Sequence, residues 1–220
     1  MKTATEFIVL NSVKYGEKSL VVQCLCRDLG RRSFFVRSAA SVASLFDPMS
    51  VLEGSVVESA RFASSMPSVT SLSRRVSFPA IRSSVYKSSI TMFMAEVLYR
   101  TMPEGVAEDG VYEWCVGKLA LLEALDKDFG NYPLIFLMEL SVKLGFRPRS
   151  EDIAPFVPPE HIETVHNLMS LPFAEAMLVP LSGRVRNSIS DSLLRYMELH
   201  LDTSLNIKSL PILRELMECL

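Results

Sequence analysis

The stretch Gly30-Arg31-Arg32-Ser33-Phe34-Phe35-Val36-Arg37 reads as a turn that runs directly into a β-strand. Strand side chains alternate between faces, so Arg31, Ser33, Phe35 and Arg37 share one side, and Arg32, Phe34 and Val36 share the other. One face is therefore basic, with an aromatic ring in its middle. Guanidinium groups spaced along an extended backbone, with a ring between them, match phosphates and a stacked base better than they match a small metabolite. The plainer reading of the same face is a solvated strand whose arginines keep the sheet soluble.

Outward from this strand the pattern stays β. Residues 5–14 are rich in β-branched and apolar side chains and stop at Tyr15-Gly16-Glu17-Lys18, a hairpin turn signal. Residues 19–27 put Leu20, Val22, Cys24 and Cys26 on one face, Gln23 and Arg27 on the other, and end at Asp28-Leu29-Gly30. After a small-residue connector, residues 50–62 and 69–78 read as two more strands. Five short strands with turn chemistry between them predict a small closed or sandwich β-domain.

From residue 83 the period changes to that of helices. Ile90, Phe93, Met94, Val97 and Leu98 stack on one face of a helix over 83–102, and a second helix is predicted over 111–126. Residues 132–144 are apolar almost all round, which predicts the central helix of a bundle. Residues 147–159, punctuated by four prolines, read as a loop; further helices are predicted over 160–170, 187–201 and 211–220. The expected organisation is a β-domain over 1–80 and an all-α domain over 81–220.

Charge follows the same division. The 220-residue chain carries a net charge of -2, yet residues 1–82 hold 11 Lys and Arg against 6 Asp and Glu, so a basic module sits on an acidic remainder. Residues 1–10 include Glu6 and no long apolar run, which does not match a signal peptide. The most apolar stretch, 134–144, contains Glu139 and Lys143 and is far shorter than the roughly 20 residues of a membrane span. A soluble, cytoplasmic protein without membrane attachment is expected. Cys24, Cys26, Cys115 and Cys219 form no C-x-x-C pair, so core thiols are expected and no metal site.

Residues able to carry out covalent chemistry are not arranged for it. No Gly-rich phosphate loop occurs, and Ser182-Gly183 lacks the surroundings of a nucleophile elbow. His161 and His166 lie five apart, not at the i,i+4 spacing that puts two ligands on one helix face, and His200 near a helix C-terminus suits the last carbonyls. No enzyme, cofactor or metal is expected. What remains is a surface: Lys14, Lys18, Arg27, Arg31, Arg32, Arg37, Arg74 and Arg75 as phosphate contacts, with Tyr15 and Phe35 as the exposed rings.

In order and spacing, the chain resembles the RecO family of bacterial DNA-repair proteins. Ile8-Val9-Leu10 with Lys14-Tyr15-Gly16-Glu17-Lys18-Ser19-Leu20 is similar to the family's opening strand and turn, followed by Leu29-Gly30-Arg31-Arg32 and then Phe46-Asp47-Pro48 with Leu52-Glu53. Residues 136–146 with Pro148 resemble the helix that ends L-G-Y/F-x-P. Leu194-Arg195-Tyr196, His200-Leu201 and Ile207-Lys208-Ser209-Leu210 resemble the closing segment.

The resemblance implies an N-terminal five-stranded OB-fold barrel followed by an all-α helical domain. It also implies non-specific binding of single- and double-stranded DNA, strand annealing, and action with RecR on DNA coated by single-strand-binding protein to load RecA. Such a protein is a nucleoid-associated mediator, not a catalyst. Three departures follow. Many members carry a four-cysteine zinc site after the L-G-Y-x-P helix, whereas residues 147–159 and the segment after them hold no cysteine, so no zinc is expected. Packing around Phe156, Leu168, Leu171 and Phe173 is expected in its place. The connector 38–45, basic in many members, has no Lys or Arg here. Arginines that hold the acidic tail of single-strand-binding protein are replaced by Leu134 and Ile135, leaving Lys143, Arg147 and Arg149 as substitute partner-binding residues. The rival reading is a non-enzymatic adaptor whose β-domain docks an acidic polypeptide.

Overall fold

A computed structural model describes residues 2–37, 43–58, 66–146 and 149–218. Residues 38–42 of the connector and Arg147 lie outside the described residues. The strands are β1 (Lys2–Tyr15), β2 (Ser19–Cys26), β3 (Gly30–Arg37), β4 (Val51–Val57) and β5 (Ser68–Val76). They close into a barrel in the order β1-β2-β3-β5-β4, with β4 returning to β1. All pairings are antiparallel except that of β3 with β5, which is parallel at Phe35 and Ser68. This is the OB-fold, as the resemblance implied.

Alternation along the strands fills the barrel. Phe7, Val22, Cys24, Phe34, Val36 and Leu52 are among the side chains packed inside, and the rings of Phe7 and Phe34 stand 5.9 Å apart. Burial pushes the Cys26 thiol up to about 12, and Cys24 rises for the same reason; both are core groups as expected. Strand bounds differ from those expected: within 50–62, of which 59–62 lie outside the described residues, β4 spans Val51–Val57, and β5 begins one residue before the expected 69 and ends at Val76.

One irregularity matters for what the barrel presents. The β1–β2 register slips between Val9 and Asn11, a β-bulge. Before it Phe7 and Val9 face inward; after it Asn11, Val13 and Tyr15 face outward. Without the extra residue, strict alternation would aim Val13 and Tyr15 toward the barrel interior.

The helices are α1 (Pro79–Ser83), α2 (Val85–Thr101), α3 (Val111–Ala124), α4 (Tyr132–Lys143), α5 (Ser150–Ile153), α6 (Ile162–Ser170), α7 (Phe173–Leu178), α8 (Gly183–Leu201) and α9 (Ser209–Met217). Two compact units emerge: Met1–Pro79 with Ala95–Ala120, and Ala80–Met94 with Leu121–Leu220. The barrel unit thus includes part of α2 and of α3.

In the second unit α4 is buried on nearly every side and packs against α6, α7 and α8, the central position its composition predicts. Within 147–159, expected as a loop, the chain forms α5 and a 3-10 turn over Ala154–Phe156. The aromatic packing foreseen there takes shape as Phe156 edge-on to Tyr196 and Phe173 edge-on to Tyr132. His200 contacts the Tyr196 carbonyl at 2.9 Å, the role expected near a helix end.

Candidate nucleic-acid interface

Cross-strand neighbours share a face, so the register of β1, β2 and β3 defines rows on the outside of the barrel. Ile8, Leu25 and Arg31 form one row; Val13, Val21 and Phe35 form another; Tyr15, Ser19 and Arg37 form the last, at the hairpin end. The first row is covered, with Ile8 fully buried and Leu25 2% exposed. The last two are open, Val13 being 51% and Tyr15 64% exposed. The Tyr15 and Phe35 rings meet edge to face, 5.7 Å apart, and so form an aromatic platform on the surface.

The cations divide along the same line. Lys14, Lys18 and Arg37 are exposed around the platform: Lys18 in the hairpin turn, Arg37 beside Tyr15 on the outer face, Lys14 on the opposite face of the same hairpin. No ion pair among the described residues engages them.

Of the other candidate arginines, all but Arg32 hydrogen-bond to groups of their own chain. Arg31 donates from Nε to the Met102 carbonyl at 2.8 Å, lies over the Tyr99 ring at 5.1 Å, and keeps 18% of its side chain exposed. Its membership of an open basic row, as the alternation alone suggested, is therefore corrected: packing against α2's end covers most of it and leaves one guanidinium nitrogen toward Glu104, 3.9 Å away. Arg32 is paired across to Cys24, on the side that faces the barrel interior, and its Nε is sealed from solvent. Arg74 donates to the Ser44 carbonyl at 3.1 Å.

Arg27 and Arg75 converge on one carboxylate. Glu6 accepts from Arg27 at 3.1 Å, from Arg75 at 3.0 Å and from the Tyr112 hydroxyl at 3.3 Å. Arg27 also donates to Glu113 at 2.7 Å, and that hydrogen bond holds the Glu113 carboxyl below the ordinary glutamate range. Burial, helped by the Glu6 charge, pushes the Tyr112 hydroxyl up. Locked into this network, both arginines are spoken for by acids of their own chain.

Of the ten residues expected to contact DNA, the structure brings Lys14, Tyr15, Lys18, Phe35 and Arg37 together at one end of the barrel and leaves the other five elsewhere. Sequence reading missed Val13 and Val21, which complete the platform, and the acids Glu6, Glu104 and Glu113. Only the alternation of β2 signalled Val21; nothing local signalled the acids' partners.

The partner-binding candidates are less concentrated. Lys143 is exposed at the end of α4, and Arg149 is exposed with its backbone N–H donating to Asp152 at 2.9 Å. Leu134 and Ile135 are buried. The described cysteines, Cys24, Cys26 and Cys115, are all buried in the barrel unit, and among the described residues no group of His, Cys, Asp or Glu is placed to hold a metal ion. Among the described residues no helix is long and apolar enough to cross a membrane.

Comparison with known proteins agrees with this architecture. A family model described as Recombination protein O N terminal matches residues 1–72, and one described as Recombination protein O C terminal matches residues 82–154. The DNA repair protein RecO of Phocaeicola vulgatus is 30% identical, with 98% of this chain and 99% of that protein covered. The RecO of Flavobacterium johnsoniae is 31% identical over 70% of this chain and 66% of its own length. That of Flavobacterium psychrophilum is 26% identical over 98% and 99%. A closed five-stranded barrel, the helices that follow it and a likeness running from end to end lead to one conclusion: the chain belongs to the RecO family of DNA repair proteins.

Proposed function

We propose that this protein is a recombination mediator that binds DNA without sequence preference through the hairpin end of its barrel. The observation that carries the reading is the exposed Tyr15–Phe35 pair with Arg37 beside it, Lys18 in the adjoining turn and Lys14 on the other face of the same hairpin. Stacking on aromatic rings tolerates any base, and cations around the rings release condensed counterions from phosphates, so affinity comes without readout of base edges. On this reading the protein anneals strands, works with RecR to load RecA, and makes or breaks no covalent bond. Lys143, Arg147 and Arg149 are proposed to receive the acidic tail of single-strand-binding protein, with the nucleoid as the place of work.

Fluorescence anisotropy of labelled oligothymidylate and of a duplex, each titrated across salt, tests the DNA reading. Each neutralised phosphate contributes a slope of about 0.7 on a single strand and about 0.9 on duplex. The combined variant Lys14→Ala, Lys18→Ala, Arg37→Ala is expected to flatten the single-strand slope by about 2. Binding and slope unchanged in that variant would remove the site. The adaptor reading draws on the same exposed platform and predicts an acidic polypeptide partner that survives nuclease digestion in a pull-down and is lost from the triple variant, whereas the mediator reading predicts that the triple variant loses DNA and keeps its nuclease-resistant partners.

A further inference from the structure

The outer face of β3 carries a carboxylate where the alternation predicts only cations. After α2 the chain turns through Pro103 and lays Glu104 beside β3, forming a parallel bridge with Arg31 in which the Gly105 N–H donates to the Arg31 carbonyl at 2.8 Å. The backbone here is pinned, but the carboxylate is not. Glu104 accepts from the Ser33 hydroxyl at 3.4 Å and lies 3.9 Å from an Arg31 nitrogen, and its side chain is 58% exposed. Charge-assisted hydrogen bonds normally close to about 2.7–2.9 Å, so this carboxylate is held loosely. It is an anion resting against Arg31 and Ser33, on the same strand face as Phe35 and Arg37.

We infer that Glu104 is an internal phosphate mimic that gates half of the binding face, and that a long single strand must displace its carboxylate to reach Arg31 and Ser33. This inference rests on the DNA-binding reading of the hairpin end. Phe35 and Arg37 form the open half and accept the first nucleotides. Alternate side chains on β3 are about 6.6 Å apart, so a strand continuing along this face meets Ser33 and then Arg31 next. There its phosphates compete with the Glu104 carboxylate for the same donors. The carboxylate therefore lowers affinity and raises the length of strand needed for firm binding.

The test uses the full-length chain and a sixteen-nucleotide oligothymidylate, at the upper end of the site size of about 4–16 nucleotides for one OB-fold. Glu104→Gln, an exposed and nearly isosteric change, is expected to tighten binding about three-fold at low salt. It should also steepen the salt slope by about 0.7, the signature of one added phosphate contact. In an Arg31→Ala background the same substitution should have no effect. If Arg31→Ala does not fold, as judged by thermal melting, the slope decides alone.

An unchanged slope in Glu104→Gln, or equal tightening with Arg31 removed, overturns the gate. If at the same time the Lys14, Lys18 and Arg37 variant still loses affinity, the open half of the face stands without it. Indifference to that triple variant overturns both.

Discussion

The two ends of β3 each carry an arginine on the same face, with opposite fates. At its start Gly30 and Arg31 are pressed against the chain that follows α2; at its finish Phe35 and Arg37 face outward beside the β1–β2 hairpin. An arginine stands at each end, on the same face, six residues apart. One holds a carbonyl and covers a ring, and the other is exposed. A side chain's availability to a ligand is thus set by what distant segments bring to it, not by its strand position.

The largest effect is expected in the core between the two ends of β3. Phe34 is 1% exposed, and Phe34→Ala is expected to cost about 3–5 kcal/mol in urea unfolding through lost burial and a residual cavity. A value below about 1 kcal/mol would mean that the ring is not a barrel filler.

Gly30 is the next point of attack. It has φ +66, and a Cβ there would collide with the Val106 carbonyl oxygen, so any side chain forces the covering segment away. Gly30→Ala is expected to destabilise by about 3 kcal/mol, strain and overpacking acting together. In hydrogen exchange the loss of protection should centre on the Gly105 amide, which bonds to the Arg31 carbonyl.

At the open end the order of effects reverses. Phe35→Ala is expected to change stability by less than about 1 kcal/mol, since the ring is only half-buried, yet to weaken single-strand binding by about 1–3 kcal/mol. Equal losses of stability and binding would place Phe35 in the structural half of the comparison.

The smallest effect concerns pH. Arg27 holds the Glu113 carboxyl below its ordinary value, so folding keeps that group ionised more strongly than the unfolded chain does. The stabilisation is present in full above the ordinary glutamate range and is lost as pH falls through the lowered value. Arg27→Ala should therefore move the Glu113 titration, followed by carboxyl NMR, up toward the ordinary range. Wild type and variant should converge in stability in acid.

Much of the fold was legible because it depends on local periodicity. The inward positions of Phe34 and Val36 and the central burial of α4 follow from spacing alone. Boundaries were less legible where polar residues interrupt that spacing. The helix expected from 187 starts at Gly183, because Ser182 caps it by accepting from the Val185 N–H at 3.3 Å. Arg184, Arg186 and Asn187 hide that first turn from any apolar pattern. The six-residue α7 is too short to display a period.

The binding face was half legible. Tyr15 and Phe35 could be named as exposed rings, but their meeting depends on the bulge after Val9, which turns the end of β1 over by one position. No residue type in that stretch marks a bulge; it shows only in the pairing of β1 with β2.

By itself, the sequence determined the succession of strands and helices, the two-sided character of β3 and the family to which the chain belongs. Each of these is carried by neighbours along the backbone or by order along the chain. Only the tertiary structure decided which cations remain available to a ligand. Arg27 is neutralised by Glu113, 86 residues away, and Arg31 is hydrogen-bonded to the Met102 carbonyl, 71 residues away; Coulombic and hydrogen-bond pairing depends on distance in space, which alternation along a strand does not encode.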